Sequence, residues 1–510
     1  MASPIQRARI QRPSNVNPFK SLPCKPLLRH LGLACLYWSL GLVAGGAVLL
    51  KHFVDSRPDL GIWHEIEYRH EFDARRHRDM ASLADYLALE DALFDELDQQ
   101  VYSTTRFAPS SINRFQQGSR VDPTHYALNG NRTREFPVLQ PRGGVLLLHG
   151  LSDSPYSLLA LAHSLQRQGY YVVLPRLPGH GTTPSGLLHV TIADFRAVVR
   201  LAAHHLRQSI GPEPPLHIVG YSNGAALAVD YALDVMQGEP LPAASRLVLI
   251  SPALGVSRLA ALASWQRRLA MIPGFEKLAW QSVQPEYDPY KYNSFPLNAA
   301  EQVYALTQDL SRRLRQAETL AEFPATLVFT SAVDATVSVD ATVDNLLAGL
   351  SGDQHRLVVY DVNQESNTAF LFSDATRRMT EQLLARRLPV AVEVLSNGAT
   401  GSSRIVRLNK AAGSDRVAIG ETDLSWPPLL YSLSHVALPF PPSDPVYGDV
   451  PHTQGRPESL GNVTLRGERG ILQVPINQLM RLRYNPFYAE QETQILNFLS
   501  GATAEPKLIP

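Results

Sequence analysis

The chain has 510 residues, 45% hydrophobic and 18% charged, a globular composition that excludes wholesale disorder and leaves room for an enzyme-sized domain with appendages. Its 47 basic and 47 acidic side chains cancel, so no field gathers a nucleic acid or a strongly charged partner. Cys24 and Cys35 are the only cysteines, which leaves the rest of the chain without a disulfide framework, a thiolate metal site or a cysteine nucleophile.

Residues 31–50, LGLACLYWSLGLVAGGAVLL, carry no charge. As a helix, a run of that length spans about 30 Å, the thickness of a bilayer's hydrocarbon core. Arg7, Arg9, Arg12, Lys20, Lys25 and Arg29 precede it without an acid, whereas Lys51 and Arg57 beyond it are balanced by Asp55 and Asp59. The positive-inside rule then predicts a single transmembrane anchor with residues 1–30 in the cytoplasm and the remainder on the periplasmic or extracytoplasmic side. A cleaved signal peptide ending at Gly45-Gly46-Ala47 is the main rival, but Val48, Leu49 and Leu50 prolong the apolar run. Lipidation of Cys35 and a buried core helix fit less well, given the short apolar lead after His30 and the one-sided basic flank.

Residues 51–140 read as a helical stalk and lead-in. Leu83, Tyr86, Leu87, Leu93 and Leu97 recur at three- and four-residue steps without a proline, the pattern of an amphipathic stalk or packing collar. From about residue 141 to 510 the pattern changes. GGVLLLHG, YYVVLPRLPGHG, PLHIVGYSNG, SRLVLISPA, ATLVFTSAVD and HRLVVYDV are short apolar runs that alternate with helical stretches. Continuous apolar strands separated by helices predict an α/β fold, a mostly parallel sheet covered on both faces. Ligands then bind beyond the strands' carboxyl ends. Two stretches interrupt the alternation: residues 257–322, helical and aromatic, where a cap would be inserted, and residues 367–428, with one helix-like and two strand-like pieces.

Gly220-Tyr221-Ser222-Asn223-Gly224 fits G-x-S-x-G between the apolar PLHIVG and the helical GAALAVDYALDV. A strand-turn-helix elbow presents a serine oxygen at the sheet's edge, and its flanking glycines permit the tight backbone. Such a serine needs a base and donors for the developing oxyanion. The N–H of Asn223 is one expected donor, and the N–H of Leu151, in the LLLHGL turn, is the other. His149 and His180 precede the serine, whereas the order in this architecture is serine, acid, histidine; both read as turn-shaping residues.

HGLSDSPYSLLALAHSLQRQGYYVVLPRLPGHGTTPSG followed by HIVGYSNGAALAVDYAL resembles the α/β-hydrolase superfamily, most closely the bacterial carboxylesterase and monoacylglycerol lipase branch related to the serine aminopeptidases. The resemblance spans about residues 141–256 and returns around Asp334. It implies an acid after a late strand, which ATLVFTSAVDATVS supplies as Asp334, with Asp340 and Asp344 as alternatives. It also implies a histidine in the loop after the next strand. That loop reads NQESNT, and His355 opens the strand at the wrong end. Ser434-His435-Val436-Ala437 resembles the family's histidine segment, so residues 367–428 are expected to be an insertion before His435; His452 is the alternative.

The resemblance thus implies a serine hydrolase with Ser222, Asp334 and His435 as its triad, acting without a metal or organic cofactor. Its aromatic cap and N-terminal anchor point to lipid-like or hydrophobic acyl esters as partners. A peptidase or acyltransferase would use the same residues, and a non-catalytic, membrane-tethered binding or scaffold protein is the reading from a different class. Neither oligomeric state nor leaving group is legible.

Overall fold

The structure, a computed structural model, describes residues 24–107, 112–126, 129–255, 263–317, 320–334, 337–352, 354–362, 374–398, 402–427, 433–450, 460 and 481–502. The chain divides into two units, residues 1–57 and 58–510. In the first, helix α1 (Cys24–Asp55) exposes Leu36, Trp38, Leu42, Val43, Val48 and Leu49. Its Arg29–Asp55 portion is long and apolar enough to cross a membrane.

The second unit is built on a ten-stranded sheet. After the short α2 (Ile62–Glu65) comes α3 (Leu83–Leu97), which opens at a reciprocal cap: Ser82 Oγ accepts from the Asp85 N–H, and Asp85 Oδ2 accepts from the Ser82 N–H, each at 3.2 Å. The strands and helices that follow are β1 (Arg134–Phe136), β2 (Gly143–Leu148), α4 (Leu159–Arg167), β3 (Tyr170–Leu174), α5 (Ile192–Ile210), β4 (Leu216–Tyr221), α6 (Asn223–Met236) and β5 (Arg246–Ile250). Next stand α7 (Ala263–Ala270), the two-stranded ribbon of β6 (Trp280–Ser282) and β7 (Phe295–Pro296), α8 (Leu297–Gln316), β8 (Ala325–Ser331), α9 (Val339–Asn345) and β9 (Arg356–Asp361). The chain continues through α10 (Asp374–Ala385), β10 (Ala391–Asn397), β11 (Arg404–Lys410), β12 (Ala418–Ser425) and α11 (Tyr488–Ser500).

The sheet order is β1-β3-β2-β4-β5-β8-β9-β10-β11-β12. Strands β3 to β10 pair in parallel, while β1, β11 and β12 are antiparallel to their neighbours. Strands so apolar need cover on both faces, and alternate residues divide between two cores. Leu146, Ile218, Leu249 and Val328 pack with α5, α6 and α8, and Val145, Val219, Val248 and Phe329 pack toward α4 and α11.

Two expected segments take a different form. Within residues 257–322, α8 is a body helix: Val303, Leu306 and Leu310 join the core of α5 and α6. That leaves α7 and the β6–β7 ribbon, with the chain between its strands, as the part outside the βα alternation. The stretch 367–428 carries three strands that widen the sheet beyond β9. The third, β12, is an edge strand with alternating exposed positions, too polar in AIGETDLS to read as a strand. In residues 51–140, α3 packs directly on the body of the sheet: Leu83 and Tyr86 sit in the same core as Leu146 and Leu148. Glu90 and Glu71 pair with the fully buried Arg176, at 3.3 Å and 3.1 Å.

Burial pushes the rings of His64, His180 and His217 down to about 4. A depressed pKa of this kind contributes stability that is complete above the unfolded value of 6.5 and is lost as pH falls toward 4. The magnitude is on the order of 3 kcal/mol for each such ring. His217, on β4, is the sharpest case because neither ring nitrogen has a hydrogen-bond partner among the described residues. Denaturant midpoints measured between pH 7.5 and 4.5 are therefore expected to fall steeply in the wild type and less steeply in His217→Leu. Parallel curves would show that this ring does not resist protonation.

Candidate active site

Strand β4 runs into α6 through Ser222, which holds φ 53° and ψ −113°, a strained conformation for a residue with a side chain. The local packing requires both glycines of the motif. A Cβ on Gly220 would stand 2.4 Å from the Ala225 Cα, and one on Gly224 would stand 2.0 Å from the Leu148 carbonyl oxygen. The elbow is thus clamped between its own helix and the end of β2. Its backbone is tied to the neighbouring strand by Ser222 N–H to Ile250 O at 2.9 Å and Ala253 N–H to Ser222 O at 3.1 Å. Among the described residues, the Ser222 hydroxyl has no hydrogen-bond partner.

Two strands along, the chain leaves β8 and reaches Asp334. Ser331 Oγ donates to the Leu433 carbonyl, which pins the segment bearing His435 beside the end of β8. His435 begins a single 3-10 turn, and its Nδ1 lies 2.9 Å from Asp334 Oδ1, a contact across 101 residues of sequence. That oxygen also accepts the Val337 N–H at 3.1 Å. The Asp334 side chain is 1% exposed and that of His435 10%. A carboxylate only accepts, so Nδ1 carries the proton and Nε2 is the basic nitrogen. Among the described residues Nε2 has no partner, and no hydrogen bond joins it to Ser222. Asp340 is exposed in the first turn of α9, and Asp344 pairs with Arg386. His355 is buried at the entry to β9, at the opposite end from Asp334. His452 and residues 363–368 lie outside the described residues.

Both expected N–H donors sit at this edge. The backbone N–H groups of Leu151 and Asn223 form no hydrogen bond among the described residues. The turn after Leu151 is fixed by Ser152 at φ 61°, whose carbonyl accepts the Tyr292 N–H at 2.8 Å. His149 Nε2 accepts the Leu177 N–H at 3.0 Å, and His180 Nδ1 lies 2.9 Å from Pro178 O, so both rings brace the loop after β3. The aromatic residues of the β6–β7 connection are mostly packing: Tyr290 stacks on Tyr156 with centroids 3.9 Å apart, and Trp280 and Tyr292 are buried. Sequence reasoning did not single out Asp153 and Lys291, which meet at the site's rim. The sequence held only an acid in HGLSD, because its partner lies 138 residues away.

The sequence profile of the alpha/beta hydrolase family matches residues 145–401, just over half of the chain. The chain belongs to this family. His435 lies beyond the matched residues, after the three strands that widen the sheet past β9. Among curated proteins, a thermostable monoacylglycerol lipase of Bacillus sp. (strain H-257) is 33% identical over 118 residues, 23% of this chain and 44% of the relative. Lipase 1 of Psychrobacter immobilis is 31% identical over 112 residues, 22% of this chain and 31% of the relative. The chain thus spans less than half the length of either. Among solved structures, one of two metagenome-derived lipolytic enzymes has a TM-score of 0.37 at 22% identity, covering 51% of this chain and 99% of its own. A monoacylglycerol lipase of Paleococcus ferrophilus has a TM-score of 0.34 at 19% identity, covering 49% and 97%.

Proposed function

We propose that this alpha/beta hydrolase is a membrane-anchored serine esterase that cleaves carboxylic esters with hydrophobic acyl groups. The observation that carries the reading is the His435–Asp334 hydrogen bond, formed at the sheet edge where the strained Ser222 elbow also stands. His435 Nε2 takes the Ser222 proton, and Ser222 Oγ attacks the ester carbonyl carbon. Asp334 holds the ring in the required tautomer and stabilises its charged form. The Leu151 and Asn223 N–H groups receive the oxyanion. Collapse breaks the bond to the alcohol oxygen, which leaves with the proton from His435. Water, deprotonated by the same nitrogen, then attacks the acyl-enzyme and releases the acid.

The lipase names of the relatives support an acyl ester as substrate. The apolar α1 supports anchoring at a membrane, where such esters collect, and the basic residues before it favour a cytoplasmic N-terminus. Purified full-length protein in detergent is expected to hydrolyse p-nitrophenyl esters and monoacylglycerols, with a preference for medium or long chains over acetate. Folded protein that hydrolyses no ester of any length overturns the proposal.

A further inference from the structure

The loop that carries the Leu151 N–H also carries an acid. Asp153 is 7% exposed, and its Oδ2 lies so close to Gly150 that a Cβ there would stand 2.8 Å away. The same Cβ would stand 3.0 Å from the ring of Tyr221, the residue before Ser222. A lone carboxylate at this place opposes the negative charge that develops on the substrate oxygen. It also favours the protonated form of a nearby imidazole, which cannot act as a base.

The β6–β7 connection supplies the counter-charge. Lys291 Nζ donates to both oxygens of Asp153 at 3.0 Å, and the next residue's N–H holds the Ser152 carbonyl. Burial raises the Asp153 pKa; Lys291 opposes that shift, Asp288 adds to it, and His435 opposes it. Asp288 is itself tied by the Tyr447 hydroxyl and by Arg483 at 3.4 Å. On the other sides, Tyr221 feels Asp153, Asp334 and Arg481, and the buried His149 and His180 feel Lys291. Asp334 accepts from the His435 ring, and Asp153, whose charge Lys291 cancels, is a second carboxylate that feels that ring.

We propose that Asp153 and Lys291 are a charge-balanced pair of positioning residues that fasten the oxyanion loop to the β6–β7 connection and set the pH at which His435 becomes a base. The inference rests on the Ser222–His435 reading above. Removing one partner leaves the other's charge acting on His435, so the two single variants shift the acid limb of kcat/KM in opposite directions. Asp153→Asn leaves a cation and moves the limb to lower pH; Lys291→Met leaves an anion and moves it to higher pH. The expected size is about half a pH unit or more each way. Lys291→Met also lowers kcat about tenfold with little change in KM, because the uncancelled charge acts on the transition state.

The test is the pH profile of ester hydrolysis for wild type, Asp153→Asn, Lys291→Met, Lys291→Arg and the Asp153→Asn/Lys291→Met double variant. Opposite shifts in the single variants, a wild-type limb in Lys291→Arg and a return toward wild type in the double variant support the pair. Should Lys291→Met fail to fold, the Asp153→Asn shift and its reversal in the double variant carry the same information. Limbs that coincide, or shift in one direction in both single variants, overturn the inference while leaving the esterase reading intact. A folded wild type without hydrolysis overturns both.

Discussion

His435→Ala is expected to lower kcat/KM for ester hydrolysis by a factor of roughly 10⁴ or more, Ser222→Ala by a similar factor, and the double variant by no more than either. The non-additivity is the informative part. A serine hydroxyl without its base is a poor nucleophile, and a base without the hydroxyl has nothing to activate, so either deletion removes the covalent route as a whole. Residual turnover reflects the oxyanion donors and substrate binding, which neither substitution touches. The His435 ring, one face of a short turn, is replaced at modest structural cost, so circular dichroism is expected to be unchanged. Steady-state kinetics on a soluble ester checks all three variants. Losses that multiply in the double variant would mean that Ser222 and His435 do not act as one unit.

The second large effect is on stability. Arg176→Met is expected to cost about 3 kcal/mol, because it leaves the buried Glu90 only the longer, 3.7 Å contact to the part-exposed Arg132 as counter-charge. Glu90 is 2% exposed, and besides Arg176 it accepts the Thr133 N–H at 2.9 Å and the Thr133 hydroxyl at 2.7 Å. Arg176 also donates to the His180 carbonyl at 3.0 Å. The guanidinium thus joins Glu90 on α3, Glu71 and the loop after β3, while Thr133 ties Glu90 to the Arg176 backbone N–H. Urea denaturation followed by tryptophan fluorescence measures the loss. An unchanged midpoint would mean that residues 58–140 rest on the body without stabilising it.

Much of this was legible because the physics is local. Six apolar runs became β2, β3, β4, β5, β8 and β9, since a parallel strand buried on both faces has few ways to be written. The elbow was legible for the same reason: Gly220 and Gly224 are demanded by contacts within a few residues and one neighbouring strand. Legibility failed where the determinants are distant. The polar β12 is a strand because β11 offers it a partner, and no periodicity in AIGETDLS announces it. The helix α8 read as cap because its amphipathic face is indistinguishable in sequence from a lid's; only packing on α6 assigns it to the body. Asp153 and Lys291 each look ordinary alone, and their meaning appears only when the fold brings them to 3.0 Å. His435 lay between these cases: its neighbours Ser434 and Val436 were informative, but the strands that separate it from β9 had to be recognised as an interruption.

On the proposed reading, a histidine displaced past three additional strands completes the site of Ser222 and Asp334. Labelling of the folded protein by a fluorophosphonate probe tests it most directly, because the probe reacts with a serine only when a base has activated it. The expected result is labelling of the wild type that is lost in both Ser222→Ala and His435→Ala and retained in His452→Ala. Labelling that survives His435→Ala, in a protein still labelled at Ser222, would contradict it.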